Sequence, residues 1–483
     1  MTHNQNRRCR LCSVIAVVTT ALMAGNARGA NVAQDDARHS SRNHHGHYTV
    51  GYSVQTLNVP GTLGESRPVN VHLWYPARRV DDCNDSSESG RSRGYQGCAL
   101  TPSMYSSRLY GVPLLPQWDP LLWTIGSSES FDNLPLPRGH HAFPVILFSH
   151  GNQNNAIDYA YTLEALASFG FIVAAPDHVN NTQDDVLLDF INPKISSLGG
   201  TPVPCLDGLA SPCEVSDRYK HDFGKDPPLD DPCTQITSIA AQLPTQSVRE
   251  SMIDRVSDIS AIIDALPDWF GSRADISRVG VMGHSRGSVT ALAAAGGSAT
   301  CWGLSADPRV KAIMGLSIGG ANVTFGVDLQ NVTVPALLVA GLLDKTGPPS
   351  VSAAAYAKLA STDKTFVPIA NAEHRHFDSA LCAQTQSSGV IATANPTTAI
   401  LDYRTVQTLV SIALTPISGV AMDYCDVSTF TTPQPGIESL VTSLTGFDFA
   451  NTAVPTTGLT SDIVKEQVVN LAVAFFGRVL GAP

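Results

Sequence analysis

"RVGVMGHSRGSVTALAAAGG", residues 278–297, is the stretch on which the reading of this chain turns. A short apolar run enters Gly-His-Ser-Arg-Gly, and an Ala-rich run leaves it. A second stretch, "RVKAIMGLSIGGANVTFG" (309–326), enters Gly-Leu-Ser-Ile-Gly in the same way. The candidate serines are Ser285 and Ser317. In a chain this rich in Gly and Ser, such a pentapeptide arises by chance about once in four sequences of this length. The surroundings therefore decide. A serine lifted onto a sharp turn between strand and helix needs flanking glycines, because Cβ atoms there would hold strand and helix apart. It also needs a helix directly after it. "RGSVTALAAAGG" supplies a good helix former and a glycine stop at Gly296–Gly297. "IGGANVTFGVDLQNVTV" is broken by glycines and β-branched residues and makes a poor helix. Ser285 is the stronger candidate.

Outward from this point, strands and helices alternate. "YTVGYSVQTLNV" and "PVNVHLWYPA" read as neighbouring strands joined by a turn. "FPVILFSHG" (143–151) and "FIVAAPDH" (171–178) are continuous apolar runs, as expected of strands buried on both faces. "AIDYAYTLEALASFG" (156–170) has helical spacing and ends at Gly170. "SVRESMIDRVSDISAIIDAL" (247–266) is amphipathic, with Met252, Val256, Ile259, Ile262 and Ile263 on one face. Further strands are expected at 278–283, 310–318, 334–341 and 364–372, and a closing helix at 461–480. The pattern predicts an α/β fold: a mostly parallel eight-stranded sheet with helices on both faces. Three loop-rich regions, 81–142, 182–246 and 378–460, read as insertions on one scaffold spanning 48–483.

If Ser285 follows the fifth strand, a carboxylate should follow the seventh and a histidine the eighth. "LLVAGLLDKTGPP" supplies Asp344, and "PIANAEHRHF" supplies His374 and His376. The order Ser, Asp, His is that of α/β-hydrolases. With "RPVNVHLWYPA", "FPVILFSHGNQNN", "LASFGFIVAAPDHVNNT", "GHSRG", "GLLDKTGPP" and "NAEHRHF", the chain resembles the α/β-hydrolases related to platelet-activating-factor acetylhydrolase and dienelactone hydrolase. The resemblance covers about residues 48–380 and the last helix, apart from the insertions.

That resemblance implies a serine esterase. Ser285 would be the nucleophile, His374 the base and Asp344 the carboxylate that orients it. His374 is preferred over His376 because it stands where the resemblance places the base. The oxyanion hole would be the backbone N–H of Arg286 and that of Asn152, in "SHGNQ" (149–153). His150 would brace that turn. The Arg286 side chain would either line the acyl pocket or pair with an insertion. Ser317 would lie on the neighbouring strand as a wall residue. No cofactor or metal is implied. Acyl transfer or peptide hydrolysis by the same triad, and a binding protein on an inactive hydrolase scaffold, are the competing readings.

Composition sets the remaining limits. The 483 residues are 43% hydrophobic and 15% charged, with a net charge of −11 and no long run of like charge. Nucleic acid is an unfit partner, since phosphate contacts need clustered Lys and Arg. Residues 1–30 read as a signal peptide: Arg7, Arg8 and Arg10, then the apolar "LCSVIAVVTTALMAG" (11–25), then small residues. The apolar run is short for a stable membrane span, and a retained signal anchor is the rival reading. Secretion or periplasmic export follows. Removal of the segment shifts the net charge to about −15. Eight cysteines then remain, an even set that suggests disulfides, with free buried thiols as the alternative, Cys301 foremost. The leader 31–47 is polar. Its four histidines, and the pairs Asp184–Asp185 and Asp230–Asp231, read as solvated residues rather than metal ligands. Apolar loops such as "LLPQWDPLLW" (114–123) would receive the apolar acyl or alcohol part of an ester.

Overall fold

The structure is a computed structural model. It describes residues 46–62, 64, 66–79, 130–139, 141–152, 154–179, 181–182, 248–319, 326–344, 346–370, 372–377, 436–449 and 461–481. The leader peptide, the four leader histidines except His47, both aspartate pairs and "LLPQWDPLLW" lie outside these residues. So do seven of the eight cysteines behind the expected disulfides.

The strands are β1 (Thr49–Pro60), β2 (Ser66–Ala77), β3 (Ser130–Asp132), β4 (Phe143–Ser149), β5 (Ile172–Asp177), β6 (Ala274–His284), β7 (Val310–Leu316), β8 (Ala336–Gly341) and β9 (Lys364–Ile369). They form one sheet in the order β3-β1-β2-β5-β4-β6-β7-β8-β9. Pairing is parallel from β5 through β9, while β2 is antiparallel to both β1 and β5. The sheet thus has nine described strands, not eight. The extra one, β3, comes from the region read as an insertion and pairs parallel to β1 at the edge. Three residues are too few to show a two-residue alternation, and the partner lies some 80 positions away.

Six α-helices accompany the described sheet: α1 (Ala160–Ser168), α2 (Val248–Phe270), α3 (Arg286–Gly296), α4 (Pro349–Lys358), α5 (Ile437–Thr445) and α6 (Ser461–Phe476). The central strands are buried on both faces, so their alternate side chains feed two cores. Val145, Leu147, Val279, Val281 and Leu338 point into one, with Ile259 and Ile263 of α2 and Leu292 of α3. Ile146, Phe148, Met282, Met314 and Val339 point into the other, with Leu163 of α1 and Val468 and Phe476 of α6. Fully burying one such side chain contributes about 1.5–3 kcal/mol, so the sheet centre is the most heavily stabilised part of the fold. That rigid centre holds the carboxyl ends of β4, β6, β7 and β8 side by side, and the functional residues stand there.

Three helices depart from the expectation, α5 because it comes from the region 378–460 read as a loop-rich insertion. α2 runs four residues past its expected end, through Pro267. α4 had no expectation at all, because "PSVSAAAYAK" is built of small residues with little apolar periodicity. Among the described residues, no helix is long and apolar enough to cross a membrane.

Candidate active site

β6 ends at His284 and α3 begins at Arg286, so Ser285 alone makes the turn. Its backbone is left-handed, with φ 56° and ψ −119°. A non-glycine residue there carries strain of about 1–3 kcal/mol, retained only where the surroundings enforce it. Here they do. Ser285 N–H donates to Leu316 O at 2.9 Å, and Ser288 N–H donates to Ser285 O at 3.0 Å. The two glycines are steric requirements. A Cβ on Gly283 would overlap Gly287 O, and a Cβ on Gly287 would overlap Ser149 O at the end of β4.

The turn after β8 carries Asp344, and the short 3-10 helix His374–Phe377 follows β9. The fold brings these three residues into one chain of hydrogen bonds. His374 Nε2 lies 2.9 Å from Ser285 Oγ, and His374 Nδ1 lies 2.7 Å from Asp344 Oδ2. Asp344 Oδ1 accepts the Gly347 N–H at 2.6 Å, so the carboxylate also fastens its own loop. The His374 ring rests against His284, with centroids 4.6 Å apart. His376 faces elsewhere: its Nδ1 accepts the Glu373 N–H at 3.0 Å.

Arg286 is the first residue of α3 and Asn152 stands in the turn after β4. Among the described residues, neither backbone N–H has an acceptor. The Arg286 guanidinium turns toward α2, donating to Asn181 Oδ1 at 3.3 Å and to Ser251 Oγ at 3.5 Å. Burial pushes its pKa down to about 10, which leaves it charged near neutrality.

Ser317 also has positive φ, at 42°, and it is fully buried. Its N–H donates to Val339 O, and its Oγ accepts the Gly341 N–H. It is therefore sealed between β7 and β8 and forms no wall. The wall position belongs to Gly319, the last glycine of the second pentapeptide. A Cβ there would overlap Ser285 Oγ and stand 3.2 Å from Arg286 N. The second Gly-x-Ser-x-Gly thus bears on the site through a glycine, not through its serine.

A cluster that sequence reasoning missed lies beside the turn after β4. His178 Nε2 is 2.9 Å from Ser149 Oγ, and His178 Nδ1 is 2.8 Å from Asp258 Oδ2. Asp258 Oδ1 accepts from Arg67 at 2.8 Å, and Arg67 also lies 3.6 Å from Asp254. All of these groups are buried. Burial and the charges of Arg255 and Arg67 hold the His178 pKa well below its ordinary value. Burial, together with the charges of Arg255 and His178, does the same to His150. Both imidazoles are neutral near pH 7. Burial pushes the Asp258 pKa up, against the pull of Arg67. The signal for this cluster was present in α2: Ser251, Asp254, Arg255 and Asp258 are spaced three and four apart, one buried polar stripe beside the apolar one. Among the described residues, no group of three or more His, Cys, Asp or Glu is placed to hold a metal ion.

The family model for platelet-activating factor acetylhydrolase, isoform II, matches residues 36–184. No curated protein matches the chain. Among solved structures, a ferulic acid esterase from Streptomyces cinnamoneus is 17% identical, with 81% of this chain and 95% of that one covered and a TM-score of 0.43. A cold-adapted esterase from an Arctic intertidal metagenomic library is 15% identical over 68% and 86%, with a TM-score of 0.33. The acylaminoacyl peptidase of Pyrococcus horikoshii is 12% identical over 71% and 41%, with a TM-score of 0.35.

Proposed function

We propose, from the premise that this chain is an α/β-hydrolase resembling platelet-activating-factor acetylhydrolase, that it is an exported serine esterase working through an acyl-enzyme. One observation carries the reading: an unbroken chain Asp344–His374–Ser285 that ends on a serine held in a left-handed turn.

The chemistry follows from that geometry. Serine hydroxyl is a weak nucleophile until a base removes its proton. As Ser285 Oγ attacks the ester carbonyl carbon, its proton passes to His374 Nε2. Asp344 fixes the Nδ1–H tautomer and stabilises the imidazolium. The negative charge moves to the carbonyl oxygen, between the N–H groups of Asn152 and Arg286. Each such donor contributes about 3 kcal/mol to the transition state. Collapse breaks the carbon–oxygen bond, and the alcohol leaves with the proton from His374. Water then repeats the sequence on the acyl-enzyme, with His374 as its base, and releases the acid.

Export rests on the arginine-led apolar segment at residues 1–30 and on the even set of eight cysteines. Under the same reading, Cys301 is disulfide-bonded, against the expectation of a free thiol there. Insertions 81–142, 182–246 and 378–460 would supply the apolar surface for the substrate.

The test is a panel of p-nitrophenyl esters of increasing acyl length, followed at millisecond resolution. A burst of one nitrophenol per chain, then slower turnover, is expected, and both should vanish in Ser285→Ala. Hydrolysis that survives Ser285→Ala undiminished would defeat the proposal.

A further inference from the structure

The Arg255 guanidinium on α2 is fully buried, yet among the described residues every acceptor it bonds is uncharged. Nη1 donates to His150 O at 2.7 Å and to Ser149 Oγ at 3.2 Å. Nη2 donates to Gly151 O at 3.2 Å. Nε and Nη2 reach Asn181 Oδ1 at 3.3 and 3.2 Å. Burying a cation without a hydrogen-bonded carboxylate is costly, and an apolar side chain of similar volume would be easier to accommodate. The arrangement therefore needs a return other than stability. What Arg255 grips is three successive residues immediately before Asn152: the Ser149 hydroxyl and the backbone carbonyls of His150 and Gly151.

The peptide bonds are trans, so the carbonyl and N–H of each peptide unit point in opposite directions. For the His150–Gly151 unit the consequence is visible. Its carbonyl sits on Arg255, and its N–H points the other way, donating to Tyr159 Oη at 3.0 Å. Tyr159 Oη in turn lies 2.8 Å from Nδ1 of His284, the residue before the nucleophile. The Gly151–Asn152 unit follows the same rule. Its carbonyl is held by Arg255, by His150 Nδ1–H at 2.7 Å and by Asn154 N–H at 3.4 Å. Its N–H, that of Asn152, is thereby turned away from Arg255, and among the described residues it has no acceptor. A cation on a peptide carbonyl also draws charge from the unit and strengthens its N–H as a donor.

We propose that Arg255 is a positioning residue for the oxyanion hole: by holding the Gly151 carbonyl it aims and polarises the Asn152 N–H. The inference rests on the esterase reading and on Asn152 as an oxyanion donor. His150 is its partner, and the neutral tautomer with Nδ1–H is required, since Nε2 accepts the His178 N–H at 3.0 Å.

The test uses the full chain with Arg255→Met and Arg255→Lys. Three quantities are measured: kcat and KM on one ester, affinity for a trifluoromethyl ketone that forms a tetrahedral adduct, and affinity for the unreactive amide isostere of that ester. Loss of one oxyanion donor is expected to lower kcat on the order of 100-fold. KM and isostere affinity should stay within about 3-fold, ketone affinity should fall in step with kcat, and Arg255→Lys should recover part of both. Equal losses of ketone and isostere affinity, or an unchanged kcat in a folded Arg255→Met, would overturn the proposal. If Arg255→Met does not fold, Asn181→Ala, which removes one of the guanidinium's two side-chain acceptors, should show the same split at about 10-fold, and no split overturns it. Wild-type chain inert toward every ester would instead refute the esterase reading, and this inference with it.

Discussion

Two constellations in this molecule contain the same three residue types joined by the same two hydrogen bonds. Ser285, His374 and Asp344 are linked at 2.9 and 2.7 Å, and Ser149, His178 and Asp258 at 2.9 and 2.8 Å. Each histidine even uses the same nitrogens, Nε2 to serine and Nδ1 to aspartate. Yet the first keeps a little exposure at its serine and histidine, 8% each, and the second has almost none, at 0%, 1% and 0%. Ser285 makes a left-handed turn beside the Arg286 N–H, which has no acceptor among the described residues, whereas Ser149 ends a strand and its Oγ already receives Arg255. Asp258 is shared with Arg67, whereas among the described residues Asp344 serves His374 and its own loop. A triad is therefore not defined by its hydrogen bonds. Access, a lifted serine and idle donors nearby separate a reactive site from a structural brace.

The comparison can be broken by exchanging roles through mutation. The largest effect expected is in activity. Ser285→Ala should lower kcat/KM on the order of 10⁴–10⁶-fold with an almost unchanged melting temperature. Ser149→Ala should leave activity within about 10-fold and instead cost about 1–3 kcal/mol of stability, because His178 Nε2 loses its donor. Next come the carboxylates. Asp344→Asn should reduce kcat about 10⁴-fold in a stable protein. Asp258→Asn should cost about 3–5 kcal/mol in urea unfolding, because buried Arg67 loses the charged partner it holds at 2.8 Å. If stability and activity followed each other in both pairs, the two constellations would not be distinct.

Acid should act on the brace through folding. His150 and His178 have folded-state pKa values depressed by burial and by neighbouring arginines. Their stabilising contribution is full above the unfolded value of about 6.5 and is lost as pH falls below it, by up to about 1.4 kcal/mol per pH unit for each histidine. Asp258, raised by burial, takes up a proton at lower pH and partly offsets this loss. Melting temperatures between pH 8 and pH 5 should show a decline that begins near 6.5, and a flat profile would contradict the assignment. The smallest effect expected is that of Ser317→Ala. Its Oγ accepts one long bond of 3.4 Å, so activity should be unchanged and stability lower by about 1 kcal/mol or less.

Much of the fold was legible because its signals are local. Eight strands lie within a few residues of their expected positions, since a run such as "FPVILFS" can only be a strand with both faces covered. The alternation of β6 and α3 around Ser285 was readable for the same reason. The strand β3 and the helix α4 were not, the first for its length and remote partner, the second for its small residues. At the site, Ser285, Asp344 and the pair His374 and His376 follow from strand order, the resemblance selects His374, and the structure brings Ser285, Asp344 and His374 together. Gly319 and Arg255 were hidden because their importance lies in what they approach across the fold. Gly319 belongs to a pentapeptide with no helix behind it, so nothing local marks it. Arg255 stands among the polar residues of an amphipathic helix, and its spacing with Ser251, Asp254 and Asp258 marks a second, buried face.

The most direct measurement is mass-spectrometric mapping of the adduct formed when the intact chain reacts with a fluorophosphonate. The account predicts a single modified serine, Ser285, with no labelling of Ser285→Ala and full labelling of Ser149→Ala and Ser317→Ala. An adduct on Ser149 or Ser317, or equal labelling of Ser285→Ala, would contradict it.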